Sequence, residues 1–471
     1  MEIRSLRFIA AACGGELLSG SPAAPVYGVC TDSRQAQAGD LFIALAGERF
    51  DGHDFVPTVA RQVAAVLVER GRVPADLGGC AVIAVDGTRA ALGRLAAAYR
   101  RDFEMPIVVV GGSNGKTTTK ELVAAVLGQK LETLASEASF NNDIGVPLTL
   151  LRLETKHQAA VLEAGTNHPG ELAPLVRMIG PNYGIITSIG REHLEFFGGL
   201  AGVAQEEGSL AELLPAQGKL FIDGDSEWAS RVAERTQAAV VRVGSAPGNH
   251  WRLRSARPDK QGTTLRVQGP SGAWEGEYRI NLLGRHQALN ALFAVAMGME
   301  LGLNREQVER GLARCQPAKM RMQLFELKGV RLLDDAYNAN PDSMAAALET
   351  LRELPCKGRR VAVLGDMAEL GPQSEASHDE TGRRAAELGV DQLFAVGRMA
   401  SALARGARAA GLSRVLEFAD VEAAAAAVKQ LVKEGDVVLV KASRATRLER
   451  VSELLRAGDS PRRPDFQLAG K

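Results

Sequence analysis

A chain of 471 residues has room for about three domains, and its 46% hydrophobic and 24% charged content supplies several cores without the bias of a disordered or fibrous protein. Its 56 basic and 56 acidic side chains cancel, which argues against bulk nucleic-acid or membrane-surface binding, a local basic patch excepted. Cys13, Cys30, Cys80, Cys315 and Cys356 stand far apart without metal spacing, Met1-Glu2-Ile3-Arg4 opens no signal segment, and no apolar run nears the ~18 residues of a membrane span, so free thiols and a cytoplasmic location are expected.

Residues 1–102 read as a first α/β unit. Short strands are expected at Tyr27–Cys30 and Asp40–Ala44, a helix at Phe55–Val63, strands at Ala64–Val68 and Val82–Val85, and a helix at Ala90–Tyr99. Between the first two strands lies Thr31-Asp32-Ser33-Arg34. Hydroxyls beside a guanidinium suit an anion, and Asp and Ser suit a plain turn equally well.

A second unit is expected over 103–316. It opens with Ile107 to Lys120, I-V-V-V-G-G-S-N-G-K-T-T-T-K. Four apolar, mostly β-branched residues predict a buried strand, and the run Glu121–Leu127 predicts a helix. The glycine turn between them is a phosphate cradle, since backbone N–H groups and the helix start both attract an anion. Only three residues separate Gly111 from Gly115, so this is a shortened P-loop: Gly112, Ser113, Asn114, Gly115, Lys116, Thr117, Thr118. Lys116 is placed for the β/γ-phosphates and the Thr117 hydroxyl for magnesium.

Further along, Phe140-Asn141-Asn142-Asp143 precedes an apolar stretch, the strand Ala159–Leu162 ends at Glu163, and the strand Tyr183–Ser188 runs to His193. Polar residues just past the carboxyl ends of buried strands mark the ligand-binding edge of an open α/β sheet. Glu163 is thus a candidate to share magnesium with Thr117, and His193 to hold a second cation. Residues 251–282 alternate and read as antiparallel strands, before an alanine-rich helix containing Asn290. A third unit, 317–471, alternates strands (Arg331–Leu333, Val361–Leu364, Gln392–Val396, Val437–Val440) with helices, which predicts a doubly wound parallel sheet. The polar tail Gly458–Lys471 is expected to be disordered.

With these motifs in order, the chain resembles the Mur ligases, which build the peptide of the bacterial cell-wall precursor. The resemblance rests on the shortened P-loop, Thr31-Asp32-Ser33-Arg34, Gly39-Asp40-Leu41-Phe42, Asn141-Asn142, Glu163-Ala164-Gly165, His193-Leu194-Glu195, Asp335 to Met344, Gly365-Asp366-Met367 and Lys441-Ala442-Ser443-Arg444. It covers nearly the whole chain. Tyr337-Asn338-Ala339-Asn340-Pro341 points to the branch that adds D-alanyl-D-alanine. The resemblance implies three α/β domains: a small N-terminal one, a central P-loop doubly wound sheet with extra antiparallel strands, and a C-terminal Rossmann-like sheet.

It further implies ATP and Mg2+ as cofactors, a UDP-linked muramoyl tripeptide and D-alanyl-D-alanine as substrates, an acyl-phosphate intermediate, and a monomer. Thr31, Ser33, Arg34, Asn141 and Asn142 match substrate positions, and Lys116, Glu163 and His193 catalytic ones. Asn290, Arg321, Asp335 and Tyr337 match adenine and ribose contacts, against which Asn290 is open to reading as a helix cap and Tyr337 as core. One departure stands out: where relatives carry a carbamylated lysine, Gln205-Glu206-Glu207-Gly208 places Glu207. Glu207 either replaces that group at magnesium, directly or through water, or is a solvated helix acid. The alternatives are a sister ligase or folylpolyglutamate synthase, a nucleotide-switch module, and a structural protein with an incidental glycine loop.

Overall fold

The computed structural model describes residues 1–47, 49–73 and 77–457; the tail expected to be disordered lies outside them. The chain forms two compact units, each discontinuous in sequence. One comprises Met1–Ile189, Ala204–Arg252 and Phe293–Gly311, the other Gly190–Val203, Leu253–Leu292 and the chain from Leu312 onward.

In the first unit, β1 (Arg4–Ser5) pairs with β3 (Pro25–Val26), while β2 (Glu16–Ser19), β4 (Gly28–Cys30), β5 (Asp40–Ile43), β6 (Ala65–Glu69) and β7 (Ala81–Val85) form a sheet in the order β2-β7-β6-β5-β4. Only β2 runs antiparallel to its neighbour. The helix Leu6–Cys13 was not expected from the sequence. Ser5 caps its start, Gly14 ends it at φ 63°, and its inner face buries Leu6, Ile9, Ala10 and Cys13. The helix expected over Phe55–Val63 shrinks to the single turn Val56–Val59. The next residues are drawn off to β6, where the Ala64 N–H bonds the Asp40 carbonyl at 3.0 Å.

The same unit carries β8 (Ile107–Gly111), β9 (Thr133–Ala135), β10 (Ala159–Glu163), β11 (Tyr183–Ile186), β12 (Lys219–Asp223) and β13 (Ala239–Gly244), all parallel, in the order β13-β12-β11-β8-β10-β9. Every residue of β8 and β10 is buried, as continuous apolar runs are when helices cover both faces of a parallel sheet. One core joins the two sheets: Leu95 and Tyr99 of the helix Thr88–Arg100 share it with Ile107, Leu150 and Ile179. The Tyr99 hydroxyl donates to the Leu153 carbonyl at 2.6 Å.

The second unit holds most of β14 (Trp251–Pro258), the antiparallel pair β15 (Thr263–Gln268) and β16 (Gly276–Ile280), and a six-stranded sheet. The first residues of β14, Trp251 and Arg252, pair in parallel with β13 within the first unit, so this strand is not purely part of an antiparallel set. The six-stranded sheet contains β17 (Gln323–Leu327), β18 (Val330–Asp334), β19 (Arg360–Leu364), β20 (Gln392–Val396), β21 (Val415–Phe418) and β22 (Val437–Lys441), ordered β17-β18-β22-β19-β20-β21. All its pairings are parallel except that of the edge strand β17. The chain is therefore α/β throughout, with a P-loop sheet and a Rossmann-like sheet. No helix among the described residues is long and apolar enough to cross a membrane.

His378, fully buried in the helix Ser374–Glu387, ties this second sheet to its cover. Its Nδ1 donates to the Ser374 carbonyl (2.6 Å) and its Nε2 accepts from the Met367 N–H (2.9 Å). Burial pushes its pKa below the ordinary 6.5, so the unfolded chain binds the proton more readily. The stabilisation is complete above about pH 6.5 and is lost as pH falls toward the folded value. His378→Leu should cost about 2 kcal/mol at pH 7.5 through the stranded Met367 N–H. The gap to wild type should narrow at pH 5.5, measured by urea denaturation at both pH values.

Candidate active site

Between β8 and the helix Lys116–Leu127 the chain makes its glycine turn. Gly112 (φ 108°) and Gly115 (φ 84°) take conformations that side-chain-bearing residues avoid. A Cβ on Gly112 would also lie 2.5 Å from Thr187 Oγ1 and 2.8 Å from the Thr187 nitrogen. Three successive N–H groups of the turn are engaged from within the protein. Gly112 donates to Glu207 Oε2 (2.7 Å), Ser113 to the Ser188 carbonyl (2.9 Å) and Asn114 to Ser188 Oγ (2.9 Å). The N–H groups of Thr117 and Thr118, in the first helical turn, have no carbonyl four residues back inside the helix, and the helix dipole adds positive potential there. The Lys116 ammonium folds over the turn onto the carbonyls of Gly112 and Ser113.

Beside this turn, β10 delivers Glu163 opposite Val110, one residue short of the end of β8. Glu163 is 1% exposed. Its Oε1 accepts from Asn141 Nδ2 at 2.8 Å, while its Oε2 is buried without a hydrogen-bond partner. The segment 136–141 positions both groups. Ser136 Oγ accepts from the Glu163 N–H (3.1 Å), and Ser139 Oγ stands 3.4 Å from Thr117 Oγ1. Lys120, wholly buried on the same helix as Thr117, holds this segment through the carbonyls of Ser136 (2.7 Å) and Ala138 (3.1 Å). A buried carboxylate oxygen left unmatched suits a hard cation with oxygen ligands. No group of three or more His, Cys, Asp or Glu able to hold a metal occurs among the described residues.

The helix Leu200–Glu212 brings two further acids to these loops. Glu207, expected either at magnesium or in solvent, is fully buried against Gly112, so the solvated reading is incorrect. Glu206 accepts from the Gly170 N–H (2.8 Å), the Leu172 N–H (2.8 Å) and Thr166 Oγ1 (3.3 Å).

The other expected residues fall into separate groups. In the first unit, Arg34 donates its backbone N–H, Nε and Nη2 to the Asp32 carboxylate (3.0, 2.9 and 2.6 Å), which holds Asp32 down at about 2. Thr31 and Ser33 flank this exposed turn, half-buried. Asn142 Oδ1 accepts from the Ile144 and Gly145 N–H groups (3.2 and 2.9 Å) and shapes the entry to a short helix.

In the second unit, His193 (φ 47°) hydrogen-bonds through Nδ1 to Glu369 (φ 60°). Two non-glycine residues in the left-handed region, clasped together, store strain of the kind found at functional positions. A carboxylate on Nδ1 fixes the ring, and Nε2 lies 4.0 Å from Glu192 Oε2. Arg191 anchors the segment: its N–H and Nε bond Asp342 (2.7 and 2.8 Å) and its Nη1 bonds Glu380 (3.0 Å). The Arg321 guanidinium lies 4.1 Å from the Tyr337 ring centre, a cation–π pair, and Tyr337 is half-buried rather than core. Asp335 accepts from the Met322 N–H (3.0 Å) and Lys441 Nζ (2.6 Å). Asn290 lies inside the helix Arg285–Glu300, bonded to Gln287 Oε1 at 2.8 Å, so it does not cap that helix. Ser188, Lys120, Glu206 and Glu369 were not singled out from the sequence. The hydroxyl of Ser188 at the end of an expected strand was the one local signal among them.

Three family models match in succession: "Mur ligase family, catalytic domain" over residues 25–100, "Mur ligase middle domain" over 110–298, and "Mur ligase, glutamate ligase domain" over 320–444. The chain is 38% identical over 436 residues to the UDP-N-acetylmuramoyl-tripeptide–D-alanyl-D-alanine ligase of Escherichia coli, covering 91% of this chain and 93% of that one. It superposes on a crystal structure of MurF from Acinetobacter baumannii with a TM-score of 0.87 and 31% identity, over 97% and 99% of the two chains. Against MurF ligase of Thermotoga maritima in complex with ADP, the TM-score is 0.80 at 27% identity, over 91% and 97%. The glycine turn, the strand-end acid beside it and these likenesses along the whole length agree: the chain belongs to the Mur ligase family.

Proposed function

We propose that this protein joins D-alanyl-D-alanine to UDP-N-acetylmuramoyl-tripeptide at the expense of ATP, in the cytoplasmic stage of cell-wall precursor synthesis. The observation that carries the reading is the glycine turn, with Gly112 at positive φ and Lys116 and Thr117 opening the helix. It sits in a chain similar along nearly all its length to a ligase named for this reaction. The expected division of labour gives 1–102 to the UDP-sugar, with Thr31, Ser33 and Arg34 at its anion, 103–316 to ATP, and 317–471 to a Rossmann-like domain.

In the first step the γ-phosphoryl group passes from ATP to the terminal carboxylate of the tripeptide, giving an acyl phosphate and ADP. The dipeptide amine then attacks the acyl carbon, the amide forms, and phosphate leaves with the electron pair of the broken C–O bond. Lys116 swings from the Gly112 and Ser113 carbonyls to the phosphates, and the first-turn amides bind their oxygens. Thr117 and Glu163 are the groups to hold magnesium, with Asn141 keeping Glu163 in place, and His193 offers Nε2 to a second cation. Bound there, magnesium would neutralise charge on the phosphoryl oxygens. Glu207, the remaining acid expected at magnesium, accepts the Gly112 N–H through Oε2. Arg321, Tyr337 and Asn290 are the groups for adenine and ribose. Asp335 serves them indirectly, since Lys441 and the Met322 N–H occupy its carboxylate.

Rapid phosphate release from ATP should require the UDP-tripeptide and the dipeptide together; release that needs neither would convert the reading to a nucleotide switch. Lys116→Ala should lower kcat by about 10²–10³-fold, the usual size of a lost transition-state charge contact. Glu163→Gln should instead raise the Mg2+ concentration for half-maximal turnover about tenfold or more, read from Mg2+ titrations at saturating substrates.

A further inference from the structure

Glu207 lies wholly buried in the middle of the helix Leu200–Glu212, and burying a carboxylate is costly unless its oxygens meet donors. Its Oε2 accepts the Gly112 N–H at 2.7 Å, and a Cβ on Gly111 would come within 3.0 Å of the same oxygen. The acid therefore presses directly against the junction of β8 and the glycine turn. The preceding residue repeats the arrangement on the neighbouring loop. Glu206 gathers the N–H groups of Gly170 and Leu172 in the connection that follows β10 and Glu163. Successive helical residues point about 100° apart, so two adjacent acids on one helix serve two adjacent loops.

We infer that Glu207 is a positioning residue for the glycine turn: its carboxylate fixes Gly112, and through Gly112 the resting place of Lys116. The route is one residue long. The Gly112 N–H is held by Glu207, and the Gly112 carbonyl accepts the Lys116 ammonium. With its φ of 108°, Gly112 has no steric preference of its own to maintain this shape, so an external acceptor must select it. A charge-assisted hydrogen bond from a buried carboxylate is about twice as strong as a neutral one, which makes it suited to the task. The inference rests on the proposal that the turn binds a nucleotide, and it assigns Glu207 to the backbone of the turn rather than to a metal ion.

The two roles separate by substitution. Glu207→Gln keeps a carbonyl oxygen able to accept from Gly112 but loses the charge a cation would need; Glu207→Ala removes the acceptor. ADP binding is measured by calorimetry with magnesium withheld by chelation and again across a Mg2+ titration, with thermal unfolding of each variant as a check on folding. The expected result is rescue by the conservative variant: Gln within about threefold of wild-type ADP affinity in both conditions, and Ala weaker by about 10-fold or more even without magnesium. If Glu207→Ala fails to fold, Glu207→Met, which fills the space without an acceptor, takes its place. The inference is overturned if Gln and Ala are equally impaired and only when magnesium is present, the signature of a lost metal ligand. It is also overturned if Ala binds ADP like wild type. Wild-type protein that binds no ADP would instead remove the nucleotide reading itself.

Discussion

The glycine turn has its own N–H groups to satisfy before it can offer any to a ligand. Gly112, Ser113 and Asn114 donate inward, to Glu207, the Ser188 carbonyl and the Ser188 hydroxyl, and each bond closes off a buried donor that would otherwise be costly. The turn is thus shaped in advance rather than ordered by what it binds, and shape held in advance is what electrostatic stabilisation of a transferring phosphoryl group needs. Much of the surrounding architecture follows. The strand β11 must end at Ile186 so that Thr187 and Ser188 run alongside the turn, and an acid must arrive beneath it from a helix far along the chain.

The same economy governs the carboxylate next door. Glu163 could be neutralised by a lysine, yet the buried ammonium of Lys120 is directed at Glu121 and at the carbonyls of Ser136 and Ala138. Lys120 orders the segment that carries Ser136, Ser139 and Asn141, and those residues in turn orient Glu163 and flank Thr117. Glu163 keeps one oxygen for a neutral amide donor and one unmatched. Charge is placed where it builds the frame and is withheld from Glu163 Oε2.

What could be read from the residues alone was what short stretches determine. The β-branched runs at 107–110, 361–364 and 437–440 named their own strands, and Gly112 and Gly115 announced a turn because only glycine takes their backbone angles cheaply. The strand runs also marked where Glu163 closes β10 and where the segment carrying His193 follows β11. What was not legible depends on distance along the chain. Glu207 meets Gly112 across 95 residues and Glu369 meets His193 across 176, and no periodicity encodes such meetings. The edge strands β17 and β21 are short, part-exposed and without a continuous apolar run. The lost turns of the helix after Phe55 went to tertiary pairing with β5, which outweighs local preference.

Lys120 also carries an implication for how this family of chains can vary. Its ammonium pairs with Glu121 on its own helix and reaches forward to carbonyls only 16 and 18 residues later, and a buried ammonium that loses two of its acceptors is costly. An insertion or deletion between the end of that helix and Ser136 would shift both carbonyls out of reach at once. The connection through Thr133–Ala135 should therefore be among the least length-tolerant in the protein, and chimaeras exchanged at that point should fail unless the donor preserves the same count of residues.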